Sequence, residues 1–187
     1  MNFDIFTITY LIWISSEIVL NRIARSGKND KKSADKHSEL LIWVAILVCI
    51  ALSSFISARY ACVILDGQLI RYIGLAVLYL GIAVRLIAIR QLGRYFTVDV
   101  TIREDHQLMQ SGLYKYVRHP SYLGACLSLL GLGLTMNNWY GLLAAFLPVF
   151  FTFVYRMNIE EKVLTERFGK QYEDYKLTTK RVFPFIY

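Results

Sequence analysis

Two short stretches of this sequence hold residue types that can do chemistry, and each borders a long apolar run. The first reads Gly112-Leu-Tyr-Lys-Tyr-Val-Arg-His-Pro-Ser-Tyr-Leu-Gly124, a cluster of aromatic, cationic and small side chains. Taken singly, Tyr and Arg are routine at a membrane boundary and Gly124 allows close helix packing, but that does not account well for the cluster. The second stretch holds Arg156 and Glu160, four residues apart and so on one face of a helix. Arg before Glu is the weaker order for a salt bridge along a helix, so the spacing reads as a cation and an anion offered separately to a ligand. Downstream, Val163, Leu164 and Phe168 form an apolar stripe, Gly169 is a natural helix stop, and Tyr172 and Tyr175 follow in what should be a short second helix.

Other chemistries find little support. Cys49, Cys62 and Cys126 form no CxxC, and His37, His106 and His119 are scattered, so no disulfide framework and no metal site are expected. The net charge of +7 could suit nucleic acid, yet the Lys and Arg residues sit in the gaps between apolar runs, as in membrane loops. No nucleic-acid partner is expected, and no obligate protein partner is evident.

The elements that must position these residues are membrane helices. Of the 187 residues, 56% are hydrophobic and 19% charged, against roughly 45–50% and about 25% in a soluble domain. So small a globule cannot bury that excess in water. A span needs about 20 mostly apolar residues, and five candidates fit: 3–20, 40–58, 72–89, 121–136 and 139–155. The first lacks a basic start and a cleavage site and is read as a retained helix. Arg85 lies one turn from the end of its span, where it is expected to snorkel to the interface. The last two spans form a hairpin, because 119–155 carries no charged residue but is too long for one crossing and is broken by Asn137-Asn138. Pro120 suits the first turn of its helix.

Orientation follows from charge. The segment 21–39 holds six Lys or Arg, 90–119 holds five and 156–187 holds seven, whereas the alternate segments hold none, two and none. The positive-inside bias then places the N-terminus outside and the C-terminus in the cytoplasm. The expected architecture is one all-α, multi-pass membrane domain over 1–187, with a cytoplasmic loop 90–119 and a cytoplasmic amphipathic tail 156–187 packing over the hairpin mouth. The polar linker 28–36 is a candidate for contact with anionic lipid heads. Since the loop and the tail flank the hairpin, His119 and Arg156 should meet in space.

The order Gly-x-Tyr-x-x-x-Arg-His-Pro-Ser-Tyr, a hairpin, then Glu-Glu-Lys-x-Leu-x-x-x-Phe-Gly-x-x-Tyr-x-x-Tyr and Arg-Val-Phe-Pro resembles the isoprenylcysteine carboxyl methyltransferase family, over 91–184. The chain looks most like that family's small prokaryotic members with five spans. The resemblance implies S-adenosylmethionine as methyl donor and S-adenosylhomocysteine as product. It places the cofactor on His106, Gln107, Leu108, Met109, Tyr114, His119, Pro120, Ser121, Tyr122 and Glu160, and the acceptor on Arg156. The family's upstream glutamine has no clear counterpart, with Asp99 or Thr101 in its neighbourhood. The implied acceptor is lipidic or prenylated, carrying a carboxylate. The Gly-x-Gly-x-Gly fingerprint of soluble Rossmann-type methyltransferases is lacking, and Gly131-Leu-Gly133 reads as helix packing. Three other readings stand beside this one: a sterol-reductase-like enzyme using NADPH, a methyltransferase for phospholipid amines or thiols, and a non-catalytic membrane scaffold.

Overall fold

The computed structural model describes residues 4–23, 31–32, 38–96, 101–102 and 107–184. His106, Asp99 and most of the linker 28–36 lie outside the described residues, and Thr101 is described by its backbone alone.

Six helices carry the fold: α1 (Ile5–Ile23), α2 (Ser38–Arg59), α3 (Leu69–Leu92), α4 (Pro120–Thr135), α5 (Trp139–Phe168) and α6 (Lys170–Thr178). The segments that join them include a two-residue antiparallel pair, β1 (Lys31–Lys32) with β2 (Thr101–Ile102). The protein is an all-α integral membrane protein. Among the described residues, three helices are long and apolar enough to cross a bilayer, in Leu40–Arg59, Leu69–Tyr95 and Trp139–Phe168. Their outer faces require lipid: Leu40, Leu47, Val48 and Phe55 of α2 stand 56–67% exposed.

The central element is α4. It is the shortest of the apolar helices at 16 residues, and eleven of them are buried. Its seam with α3 is made of glycine. Gly74 and Gly81 of α3 face Gly131 and Gly124 of α4, each pair two turns apart, so the two backbones approach with no side chain between them. A Cβ on Gly124 would sit 2.6 Å from the backbone nitrogen of Arg85 and 2.7 Å from the carbonyl of Gly81. Gly133 leaves room for Leu142 of α5, whose side chain packs onto it.

Asn137 and Asn138 make the turn and anchor it. Asn137 adopts φ +50°, a conformation this residue type tolerates better than most. Its Oδ1 accepts from the backbone N–H of Ile64 (3.2 Å) and Leu65 (3.1 Å). Asn138 caps α5, its Oδ1 accepting from Gly141 N at 3.0 Å, while its Nδ2 donates to the Tyr60 carbonyl at 2.5 Å. The hairpin turn is thereby stitched to the α2–α3 connection at the same end of the bundle.

At the other end α5 does not stop at 155, where the apolar run ends. It continues unbroken to Phe168, 30 residues in all. At 1.5 Å per residue that is about 45 Å, so roughly the last three turns outrun a 30 Å hydrocarbon core. Gly169, at φ +51°, ends the helix, and its N–H returns to the Thr165 carbonyl at 2.8 Å.

The glycine seam sets the first expectation. Gly124→Val should cost about 1–3 kcal/mol or more by forcing α3 and α4 apart. Gly67→Ala, whose Cβ would meet nothing within 4 Å, should cost only its backbone strain, about 1 kcal/mol. Melting temperatures of the detergent-solubilised variants check this; equal values for the two would sink the packing argument.

Candidate active site

The site is assembled where the segment before α4, the projecting end of α5 and the tail after α6 meet. Backbone pairing comes first. The N–H of Arg118 donates to the Lys180 carbonyl (2.8 Å), that of His119 to the Arg181 carbonyl (3.0 Å), and that of Lys180 to the Tyr116 carbonyl (3.1 Å). A short parallel ladder therefore fastens the tail to the start of α4.

Glu161 locks that ladder onto α5. Its carboxylate accepts from Arg118 Nε at 3.1 Å, lies 3.1 Å from His119 Nε2, and pairs with an Arg181 terminal nitrogen at 3.2 Å. Arg118 also donates to the carbonyls of Thr179 (2.6 Å) and Lys176 (3.3 Å). Arg181 reaches Asn158 Oδ1 at 2.6 Å.

Glu160, the preceding residue, faces the other way, into a cavity. Tyr122 Oη donates to Glu160 Oε2 at 3.1 Å and accepts from Arg156 Nε at 2.9 Å. The buried Arg156 also donates from a terminal nitrogen to Ser38 Oγ, at the start of α2, at 3.0 Å. His119 Nδ1 lies 3.8 Å from Glu160 Oε2, and its ring meets that of Tyr122 edge-on at 5.5 Å between centroids. The cation and anion read from the 156/160 spacing are thus joined through one phenol.

The cavity holds about 1520 Å³ of empty space, counted out to its open mouths. Its walls mix two kinds of surface. Tyr114, His119, Tyr122, Arg156 and Glu160 give aromatic and polar groups, while Leu108, Met109, Ile42, Ile46, Leu129 and Phe153 give apolar ones. Tyr114 and Tyr175 brace one another: Tyr175 Oη donates to the Tyr114 carbonyl at 2.5 Å, and Tyr114 Oη to the Ala88 carbonyl at 3.4 Å. Burial pushes both phenols well above their ordinary pKa, so both remain neutral hydrogen-bond donors.

Leu108, Met109, Tyr114, His119, Ser121, Tyr122, Arg156 and Glu160 all line this cavity. Gln107 is exposed and is not part of the lining, and Pro120 is buried at the first turn of α4, where it starts the helix. His106 lies outside the described residues.

Arg85 corrects the sequence reading. It does not snorkel to an interface. Its guanidinium grips Glu17 of α1 at both carboxylate oxygens (2.7 and 2.8 Å) and holds Ser121 by its Oγ (3.0 Å) and carbonyl (3.2 Å). Both charged groups line the cavity. A signal was available: opposite charges inside otherwise apolar spans pair far more often than they face lipid.

A family model for phospholipid methyltransferases matches residues 69–171. The chain is 30% identical over 119 residues to a probable protein-S-isoprenylcysteine O-methyltransferase of Oryza sativa subsp. indica, covering 63% of this chain and 62% of that one. It is 35% identical over 115 residues to protein-S-isoprenylcysteine O-methyltransferase B of Arabidopsis thaliana, covering 60% and 58%. Against the protein-S-isoprenylcysteine O-methyltransferase of Tribolium castaneum the identity is 36% over 116 residues, covering 61% and 41%. The matched part thus amounts to between two fifths and three fifths of each relative. The solved structure of the eukaryotic intramembrane Ras methyltransferase ICMT superposes with a TM-score of 0.69 at 26% identity, covering 97% of this chain and 65% of that one.

The Glu161 hub has a measurable role. Glu161→Ala leaves Arg118 and Arg181 without their shared anion, and removing one partner of a buried ion pair costs about 3–5 kcal/mol. The expected outcome is release of the tail, seen as new proteolytic cleavage between Thr178 and Pro184 while α2–α4 stay protected. An unchanged digestion pattern would show that backbone pairing alone holds the tail.

Proposed function

The chain belongs to the phospholipid methyltransferase family, and from that premise we propose that it transfers a methyl group from S-adenosylmethionine to a membrane-embedded acceptor. The acceptor group is an ionised carboxylate of the isoprenylcysteine type, and S-adenosylhomocysteine is released. One observation carries this reading: Tyr122 joins Arg156 to Glu160 through hydrogen bonds of 2.9 and 3.1 Å, so a cation for the acceptor and an anion for the donor share one cavity. The names of the isoprenylcysteine O-methyltransferase relatives and of the solved Ras methyltransferase support the choice of acceptor.

The residues present fit the donor. Glu160 is a partner for its ammonium, Leu108 and Met109 offer an apolar face to adenine, and the rings of Tyr114 and Tyr122 suit a sulfonium through cation–π contact. When bound, the sulfonium supplies a methyl carbon already activated for displacement. The protein then needs no general base, because a carboxylate is ionised at neutral pH. Its work is to align and to exclude water. Arg156 grips the acceptor carboxylate, and a guanidinium can do so with two parallel hydrogen bonds. Ile42, Ile46, Leu129 and Phe153 take the lipid chain, which enters sideways between helices. In this reading α1–α5 are all spans, the N-terminus lies outside, and the active site faces the cytoplasm, where the soluble donor is found.

The carboxylate and the guanidinium should separate cleanly by mutation. Glu160→Ala should weaken S-adenosylhomocysteine binding at least tenfold in isothermal titration, whereas Arg156→Ala should keep binding and lose turnover on a prenylcysteine acceptor in vesicles. The transferred label should leave as methanol on mild base, as a methyl ester does. Base-stable label on phospholipid amine would overturn the choice of acceptor, and normal turnover by both variants would overturn the site.

A further inference from the structure

Helix α6 carries two buried tyrosines three residues apart, Tyr172 at 1% exposure and Tyr175 at 6%, with ring centroids 6.0 Å apart. Their hydroxyls differ. That of Tyr175 is used within the protein, on the Tyr114 carbonyl. That of Tyr172 is fully buried and has no hydrogen-bond partner among the described residues. A buried hydroxyl without a partner costs stability, and a phenylalanine would fill the same space without that cost.

The surroundings indicate what the hydroxyl meets. Tyr172 lines the same cavity as Glu160 and His119. Burial, then the charges of Glu161 and Glu160, push its phenol far above the ordinary value, so it keeps its proton and can donate it in a hydrogen bond. Positive charge flanks the ring as well: Lys176 Nζ lies 5.5 Å from its centroid. An anion at Glu160, with a neutral O–H donor and a cation beside its ring, complements a zwitterion whose ammonium and carboxylate leave the same carbon. An amino-acid end is such a group.

We infer that Tyr172 is a ligand-binding residue, donating its hydroxyl hydrogen to the carboxylate at the amino-acid end of the methyl donor. The assignment rests on the proposed use of S-adenosylmethionine. It makes α6 a working wall of the site as well as the start of the tail's anchor.

The test uses the full chain in detergent, with two ligands and one conservative change. Isothermal titration of Tyr172→Phe with S-adenosylhomocysteine should show affinity weakened roughly tenfold or more, the loss of one hydrogen bond to a charged group. Methylthioadenosine has the same nucleoside and thioether but no amino-acid end, and should bind the variant as it binds the unmodified protein. The melting temperature without ligand should hold or rise, since no internal bond is lost; Tyr175→Phe, which does lose one, should fall. Unchanged S-adenosylhomocysteine affinity, equal losses for both ligands, or a drop in the ligand-free melting temperature of Tyr172→Phe would each overturn the assignment. Should the unmodified protein bind neither ligand, the proposed function itself falls, and this assignment with it.

Discussion

The cavity depends on one carboxylate that does not line it. Glu161 gathers Arg118, His119 and Arg181, which come from the segment before α4 and from the tail, onto the end of α5. With side-chain exposures of 3–16% for these four residues, water does little to screen the attractions, and none of the charges is left buried alone. The ladder between 116–119 and Lys180–Arg181 supplies three backbone bonds among the described residues. Side-chain electrostatics must supply the rest.

Consecutive residues of α5 thus divide two tasks. One helical position turns the chain by about 100°, which aims Glu161 at the tail and Glu160 at the cavity. Arg156 sits one turn before Glu160 and points into the same space, and Tyr122 from α4 closes the contact between them. The glycine seam enters here too. It draws α3 so close to α4 that Arg85 can reach Ser121, one residue before Tyr122, and through Glu17 bring α1 to the cavity wall.

Much of this was legible in the residues, because it follows from local rules. The apolar runs mark the long helices, Asn137-Asn138 marks the turn, Gly169 the end of α5, and the convergence of 119 with 156 follows from a hairpin being closed at its far end. What was not legible depends on rotation and on distance. The spacing from Arg156 puts Glu160 on its face, but nothing in the sequence states that Glu161 turns the other way to gather Arg118, His119 and Arg181. The Glu17–Arg85 pair joins residues 68 apart in the chain, and each alone looks like a charge near a span's end. The apolar run stops at 155 while the helix does not, because Arg, Met, Glu, Lys and Leu continue it by propensity where hydrophobicity has ended.

The unbroken passage of α5 through the boundary has a consequence for what can react. Arg156 and Glu160 are fixed on one rod, about 6 Å apart along its axis, and that rod is clamped at its outer end by Glu161 and seated among apolar neighbours at Phe153 and Val149. Under the proposed function the rod is a depth gauge: it meets an acceptor whose charge lies at the level of Arg156, and selects by immersion more than by the length or shape of the hydrocarbon.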